Sequence, residues 1–433
     1  MQPQKNRAGI SRRAFVKAAG AGLAAPLLLP ARARGANERI RMGVIGTGSR
    51  GAQVMMEGFV PDKGVEVALV CDPQRARREQ AAKLVNNYYE RNECAHCNDF
   101  RDVLARDDIA AVLITAPDHW HGVMATMAAN AGKDMYCEKP LGLCVRDGQA
   151  IRDAVRRNNI IFQTGTQQRS TRNFRHACEL ALGGYIGNVH TIEVAAPGPS
   201  FKPKYDGSLD PQPVPEGMDW ELYTGPAPMR PFNPGRLEWP DWYLISDYCI
   251  GFIVNWGVHH LDIAAWGCPR LITQPFECEC EADYRSKGFT DNINGWRAEF
   301  TYPDGLRMRY SDTDNPWPQG VCFRGDEGWV HVSRKSISAE PASLLELELP
   351  AGENRLHESN HHARDFIEAV KARRDPVSPV ESGHQASNLG LIPEIAARLK
   401  RKLRWDPVAD QFHDDAEATA LLAKPLRAPW RRG

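Results

Sequence analysis

Short runs dominated by apolar residues, at 39–45, 65–71, 110–115 and 134–137, alternate along the first part of the chain with stretches of helical spacing such as Ala52–Phe59 and His121–Ala131. Runs of that length, bounded by turn residues, read as buried strands, and the segments between them as helices. Within the second of those helices Met124, Met127 and Ala128 fall where core residues are expected. Strands alternating with helices imply a parallel sheet, whose ligand site lies beyond the carboxyl ends of the strands. Gly46, Asp72, Pro117 and Lys139 all sit at such ends.

The turn after the first run carries the sharpest local signal. Gly46, Thr47, Gly48, Ser49, Arg50 and Gly51 form GxGxxG between a strand and a helix, the context in which the motif binds dinucleotides. Gly46 permits the tight turn, Gly48 lets backbone approach a pyrophosphate, and Gly51 allows close packing of helix on strand. The second run ends in Asp72, about twenty residues on, where a carboxylate can accept hydrogen bonds from ribose hydroxyls. Asp72 favours NAD over NADP, because it repels a 2′-phosphate; Arg75, Arg77 and Arg78 follow closely and temper that preference.

Ahead of this region, Ser11, Arg12, Arg13, Ala14, Phe15, Val16 and Lys17 form a twin-arginine pattern. It is followed by an apolar stretch at 18–29 and a small-residue site at Ala31, Arg32, Ala33. The apolar stretch is shorter than the roughly 20 residues that span a bilayer. Residues 1–36 therefore read as an export signal, and the mature protein is expected in the periplasm or outside the cell. With 42% hydrophobic and 25% charged residues the remaining chain can bury a sizeable core. Lys plus Arg (54) equals Asp plus Glu (54), which gives no general drive toward nucleic acid or anionic lipid. A small neutral or weakly charged ligand fits better.

Five stretches in order, GVIGTGSRG at 43–51, TAPDHWH at 115–121, CEKPLG at 137–142, TGTQQRS at 164–170 and NWGVHHLDIAAWG at 255–267, resemble the glucose-fructose oxidoreductase and inositol dehydrogenase (Gfo/Idh/MocA) family. HHARDF at 361–366 and LRWDP at 403–407 are similar to an exported bacterial subgroup. The resemblance implies an α/β fold: a Rossmann dinucleotide-binding domain at 37–165, then an α/β domain with an open, mainly antiparallel sheet at 166–433. It also implies an NAD(P)-dependent oxidoreductase acting on a sugar, cyclitol or related polyol, and a homo-oligomer is expected. The alternative is a glycosidase or lyase that oxidises its substrate transiently, eliminates, and returns the hydride.

By the same resemblance Lys139 contacts the reacting oxygen, where a cation stabilises alkoxide character. Glu138 and Pro140 shape the cofactor pocket, which Pro117 and His121 also border. His259 takes the hydroxyl proton, a role suited to imidazole. The family places an aspartate four residues before that histidine, whereas this chain has Asn255, which cannot accept a proton. His260, Asp247 or Asp262 could supply the missing carboxylate or base, and Asp262 could instead orient His259 or cap the structure.

Gln167, Arg169, Trp256 and His260 are candidate substrate contacts, with simple inter-domain pairing as the alternative for Gln167 and Arg169. Trp239, Trp242, Tyr243 and Trp256 suit the apolar face of a sugar ring or plain core. His119 and His121 read as turn and helix-start residues beside the cofactor rather than metal ligands. Cys94, His96 and Cys97 resemble half a zinc site without its second half, and read as a surface loop that could hold a disulfide. No metal is expected. The proline-rich stretch at 201–240 is too long for an ordinary connection and reads as an arm over the active site or against a partner subunit.

Overall fold

A computed structural model describes residues 39–432 apart from 200–203, 205–207, 285–288, 313–318, 351 and 353. The twin-arginine stretch lies outside the described residues.

Six parallel strands form the first sheet: β1 (Ile40–Ile45), β2 (Val65–Cys71), β3 (Ala95–Cys97), β4 (Ala111–Ile114), β5 (Asp134–Cys137) and β6 (Phe162–Thr164), in the order β3-β2-β1-β4-β5-β6. That is the doubly wound dinucleotide-binding order, with its crevice where β1 and β4 part. The four apolar runs fall on β1, β2, β4 and β5 within a residue at each end, because strands buried on both faces are apolar throughout. The Cys94, His96, Cys97 stretch differs from its expected surface loop. The side chain of Asn86 clamps both backbone groups of Cys94, and the chain then pairs with the open edge of β2 as β3. No disulfide forms there; Cys71 and Cys97 lie opposite each other across the two strands as free thiols, and the Cys97 thiol faces the Asp99 carbonyl.

The second sheet has nine strands: β7 (Val189–Ala195), β8 (Phe276–Tyr284), β9 (Ile293–Thr301), β10 (Arg307–Ser311), β11 (Gly320–Gly325), β12 (Gly328–Val332), β13 (Ile337–Glu340), β14 (Leu403–Asp406) and β15 (Gln411–Phe412). Their order is β13-β12-β11-β7-β10-β9-β8-β14-β15, and every pair is antiparallel except β7 with β10. One face buries Cys278, Ala298, Phe300, Met308, Val321 and Phe323 in a core shared with the helices Arg172–Leu182, Val258–Gly267 and Val380–Leu399. The alternate positions Glu279, Arg297, Thr301 and Arg309 point to the open face, as period-two patterning requires.

Later chain returns to the first domain. The helix His362–Ala372 packs Phe366 edge-on against Phe59 and Tyr136, and Trp430 meets Trp120 edge-on at 4.7 Å. The proline-rich arm takes the first of its two expected places. Gly217 accepts from Arg75 N–H, Asp219 N–H donates to Pro73, and the Tyr223 carbonyl receives donors from His119 and Trp120. Leu237, Trp239, Trp242 and Tyr243 are thereby brought to the wall of the crevice.

Candidate active site

The carboxyl ends of β1, β2, β4 and β5 open into one cleft of about 590 Å³, closed on its far side by the second domain. Gly46 has φ +89°, and a Cβ there would lie 2.6 Å from the Ala116 nitrogen; a Cβ on Gly51 would lie 2.1 Å from the Gly46 carbonyl. Only glycine fits both positions. The loop can therefore lie flat along the cleft, where the first-turn N–H groups of the helix Ser49–Val54 have no intrahelical partner. Asp72 is buried and held from three sides: Thr47 donates to Oδ2 through its N–H at 2.8 Å and its hydroxyl at 3.3 Å, and Gln74 N–H donates to Oδ1 at 2.9 Å. Phe100, Leu222 and Tyr223 supply an apolar slot nearby. A glycine cradle, orphan N–H groups and an oriented carboxylate fit a dinucleotide. Pyrophosphate would lie on Gly46–Gly51 and the adenosine ribose against Asp72.

At the other end Lys139 Nζ donates to Asn255 Oδ1 at 2.5 Å and to the Asn255 carbonyl at 3.0 Å. Asn255 Nδ2 donates in turn to Asp118 Oδ2 at 2.6 Å. Burial raises the pKa of Asp118, opposed by His121 and Lys139, while burial lowers that of Lys139, opposed by Glu138 and Asp118. Arg50 reaches Glu138 Oε1 through two nitrogens at 2.8 and 3.0 Å. Gln167, with its amide turned so that nitrogen donates to the Gly165 carbonyl, accepts from Arg50 at 2.9 Å. His259 lines the cleft, and its Nδ1 has no hydrogen-bond partner. Burial, then the charges of Lys139 and Arg334, push its pKa well below the ordinary 6.5, which favours the neutral ring.

Residues 40–166 match the family model described as an oxidoreductase family NAD-binding Rossmann fold, and residues 181–432 match its C-terminal alpha/beta domain. The chain belongs to the Gfo/Idh/MocA oxidoreductase family. Its N-terminal part is therefore an NAD-binding domain of that family. An inositol 2-dehydrogenase of Salmonella paratyphi B is 30% identical over 167 residues, 38% of this chain and 48% of that protein. A glycosyl hydrolase family 109 protein of a Shewanella species is 34% identical over 121 residues, 27% of this chain and 26% of that protein. The chain thus spans less than half the length of these relatives. Among solved structures, an aldose-aldose oxidoreductase of Caulobacter crescentus complexed with glycerol superposes with TM-score 0.63 at 17% identity, covering 84% of this chain and 99% of that one; it shares the fold.

The structure gathers most residues that the family motifs singled out and sets others aside. Gly46, Gly48, Ser49, Arg50, Gly51, Asp72, Pro117, Glu138, Lys139, Gln167, Asn255 and His259 line the cleft. His121 borders it too, but both its ring nitrogens face carbonyls, of Pro140 at 2.7 Å and Ala116 at 2.8 Å, so it braces two turns. Thr47 is spent on Asp72. Arg169 is not a substrate contact: its guanidinium forms a bidentate pair with buried Asp262 at 2.7 and 2.8 Å. That pair also removes Asp262 as an orienter of His259, and Asp247 pairs with Arg230. His260 is fully buried and bonded to Gln168, and Trp256 carries the guanidinium of Arg334 on its ring; neither lines the cleft. His119 points to the Tyr223 carbonyl. Among the described residues no cluster could hold a metal.

Two cleft residues escaped the sequence reading. Asp118 supplies the carboxylate that the Asn255 position lacks; its place at the end of β4 was the available signal. Arg334, in the turn between β12 and β13, had none.

Proposed function

We propose that this enzyme binds NAD tightly and oxidises a hydroxyl of a sugar, cyclitol or related polyol, in a cycle that returns the hydride and leaves no net NADH. The observation that carries the reading is the convergence of Lys139, Asn255 and His259 at the end of the cleft opposite Asp72. Bound NAD supplies the hydride acceptor, and the same ring can give the hydride back. Lys139 binds the reacting oxygen and favours its anionic form. Neutral His259 takes the hydroxyl proton, and Asn255 holds Lys139 in place while tying it to Asp118. Trp239, Trp242 and Tyr243 offer apolar faces to a sugar ring. NAD rather than NADP follows from the oriented carboxylate of Asp72.

Export through a twin-arginine pathway is part of the proposal, supported by the pattern at 11–33. A protein exported folded carries its cofactor with it. A homo-oligomer is also proposed, assembled through the open face of the nine-stranded sheet, which no layer among the described residues covers; light scattering after gel filtration reads the mass. The test of the central reading is to mix purified protein, freed of unbound nucleotide, with a panel of sugars and polyols and follow bound-cofactor absorbance at 340 nm. A transient rise followed by turnover supports it, and a panel that never changes the absorbance rejects it.

A second reading rests on the glycosyl hydrolase relative and on Asn255. Oxidation beside a glycosidic carbon acidifies the neighbouring C–H, elimination expels the aglycone, and the hydride returns. Aryl glycosides distinguish the two: aglycone release without net NADH favours this route.

A further inference from the structure

The cleft holds, near His259, a guanidinium that no carboxylate among the described residues neutralises. Arg334 projects from the tight turn between β12 and β13, closed by Ser333 N–H donating to the Ser336 carbonyl at 2.8 Å. Its Nε donates to Gln168 Oε1 at 2.9 Å, and its guanidinium carbon lies 4.9 Å from the centre of the Trp256 ring. Gln168 is itself fixed, donating to the His259 carbonyl and to His260 Nδ1, each at 3.1 Å. The guanidinium is thus held on one edge and one face. Its two terminal nitrogens have no acceptor among the described residues, and Arg334 lines the cleft.

The other cations at this end are matched. Arg50 pairs with Glu138, and Lys139 is linked through Asn255 to Asp118. Arg334 therefore leaves the substrate chamber one positive charge in excess, beside a His259 that lacks a carboxylate of its own. A planar fork with one charge and two open donors matches a carboxylate. A phosphate dianion would require a second cation at the same spot, and none among the described residues is free there.

We propose that Arg334 binds a carboxylate of the substrate, so that the enzyme selects polyhydroxy acids, uronic or aldonic, over neutral sugars. The inference rests on the sugar-oxidoreductase reading above and narrows it to a substrate class. The substrate would bring the negative charge that the site lacks, compensating Arg334 and easing formation of the imidazolium at His259.

The experiment is titration calorimetry on the purified holoprotein with D-glucuronate, D-galacturonate and D-gluconate, each against its neutral parent glucose, galactose or glucitol, and with glucose 6-sulfate and glucose 6-phosphate. At least one acid should bind about tenfold or more tightly than its parent, the scale of a charge-assisted bond at a partly open site. In Arg334→Gln that ratio should fall to about one, and Arg334→Lys should keep part of it. Arg334 sits in an exposed turn, and an unaltered unfolding midpoint will confirm that both variants fold. Equal binding of acids and parents, or a ratio that survives Arg334→Gln, overturns the proposal; tighter binding of the sulfate or phosphate than of every acid also overturns it. Acids that bind through Arg334 yet never change the 340 nm absorbance would reject the oxidoreductase reading and leave the carboxylate site standing.

Discussion

Asn255 and Asp118, 137 residues apart in the chain, are joined by a 2.6 Å hydrogen bond from the amide nitrogen to a carboxylate oxygen. The amide oxygen of Asn255 at the same time accepts from Lys139, so one neutral side chain is sandwiched between an acid and a base. An aspartate at 255 would set two carboxylates 2.6 Å apart, where both cannot ionise.

This arrangement predicts the outcome of a swap. Asp118→Asn should lower kcat about a hundredfold by misplacing Lys139. Asn255→Asp alone should also impair the enzyme and add an ionisation to its pH–rate profile, as two carboxylates share a proton. The double variant, with carboxylate and amide exchanged, should regain at least about tenfold over either single variant. A double variant no better than the worse single one would show that the pair does not act as a unit.

Lys139→Ala and His259→Ala should each reduce turnover by at least about a hundredfold. The pH dependence of kcat/KM carries a sharper expectation. His259 acts as a base only when unprotonated, and that form persists above its pKa. Because burial and the charges of Lys139 and Arg334 push that pKa well below 6.5, activity should stay level as pH falls through 6.5 and decline only further down. An acid limb centred on 6.5 would contradict the buried, cation-flanked ring.

The parts of this molecule that were legible in the sequence are those built from neighbours along the chain. The glycine turn needs Gly46 and Gly51 for local steric reasons, and Asp72 needs only to end β2, so spacing alone reveals both. The apolar runs gave β1, β2, β4 and β5, whereas β3 pairs through the exposed residues Ala95 and His96 and has no apolar signature. Asp118 meets Asn255, Arg334 meets Gln168 and Arg169 meets Asp262 across 137, 166 and 93 residues. No local pattern encodes such meetings. Arg169 and His260 stand close in sequence to the cleft-lining Gln167 and His259, yet neither lines the cleft; the helix Val258–Gly267 is buried on every side, and His260 is spent on Gln168.

The cofactor released by denaturing the purified protein should be NAD by mass. Of the three arginines after β2, Arg78 is tied to the Asp72 carbonyl and Asn98, and Arg75 points toward Glu216. Arg77 lines the cleft. If NADP were found instead, the assignment of Asp72 would fail, and Arg77→Ala would be the variant expected to lose it.

Arg169→Met should destabilise the fold by about 3–5 kcal/mol, because it leaves the fully buried Asp262 charge without its partner. Denaturant unfolding measures the loss. If Arg169 served the substrate instead, the variant would keep its stability and raise KM.

The last prediction concerns the fate of the hydride. If the protein is exported with its cofactor, as proposed, it meets no evident pool for exchanging NADH with NAD, and net oxidation would halt after one turnover. Redox-neutral cycling avoids that halt, by passing the hydride to a second substrate or returning it to the first, and both routes require a cofactor that dissociates slowly. The cleft is suited to retention: the arm at 208–240 crosses it, held by backbone bonds at Gly217 and Asp219, and Tyr223 closes the adenosine end. After gel filtration to remove free nucleotide, product should accumulate over many equivalents per site while bound-cofactor absorbance returns to its starting value. Product that stops at one equivalent per site, and resumes only when NAD is added, would mark an ordinary dehydrogenase with an exchangeable cofactor and overturn the cycling scheme.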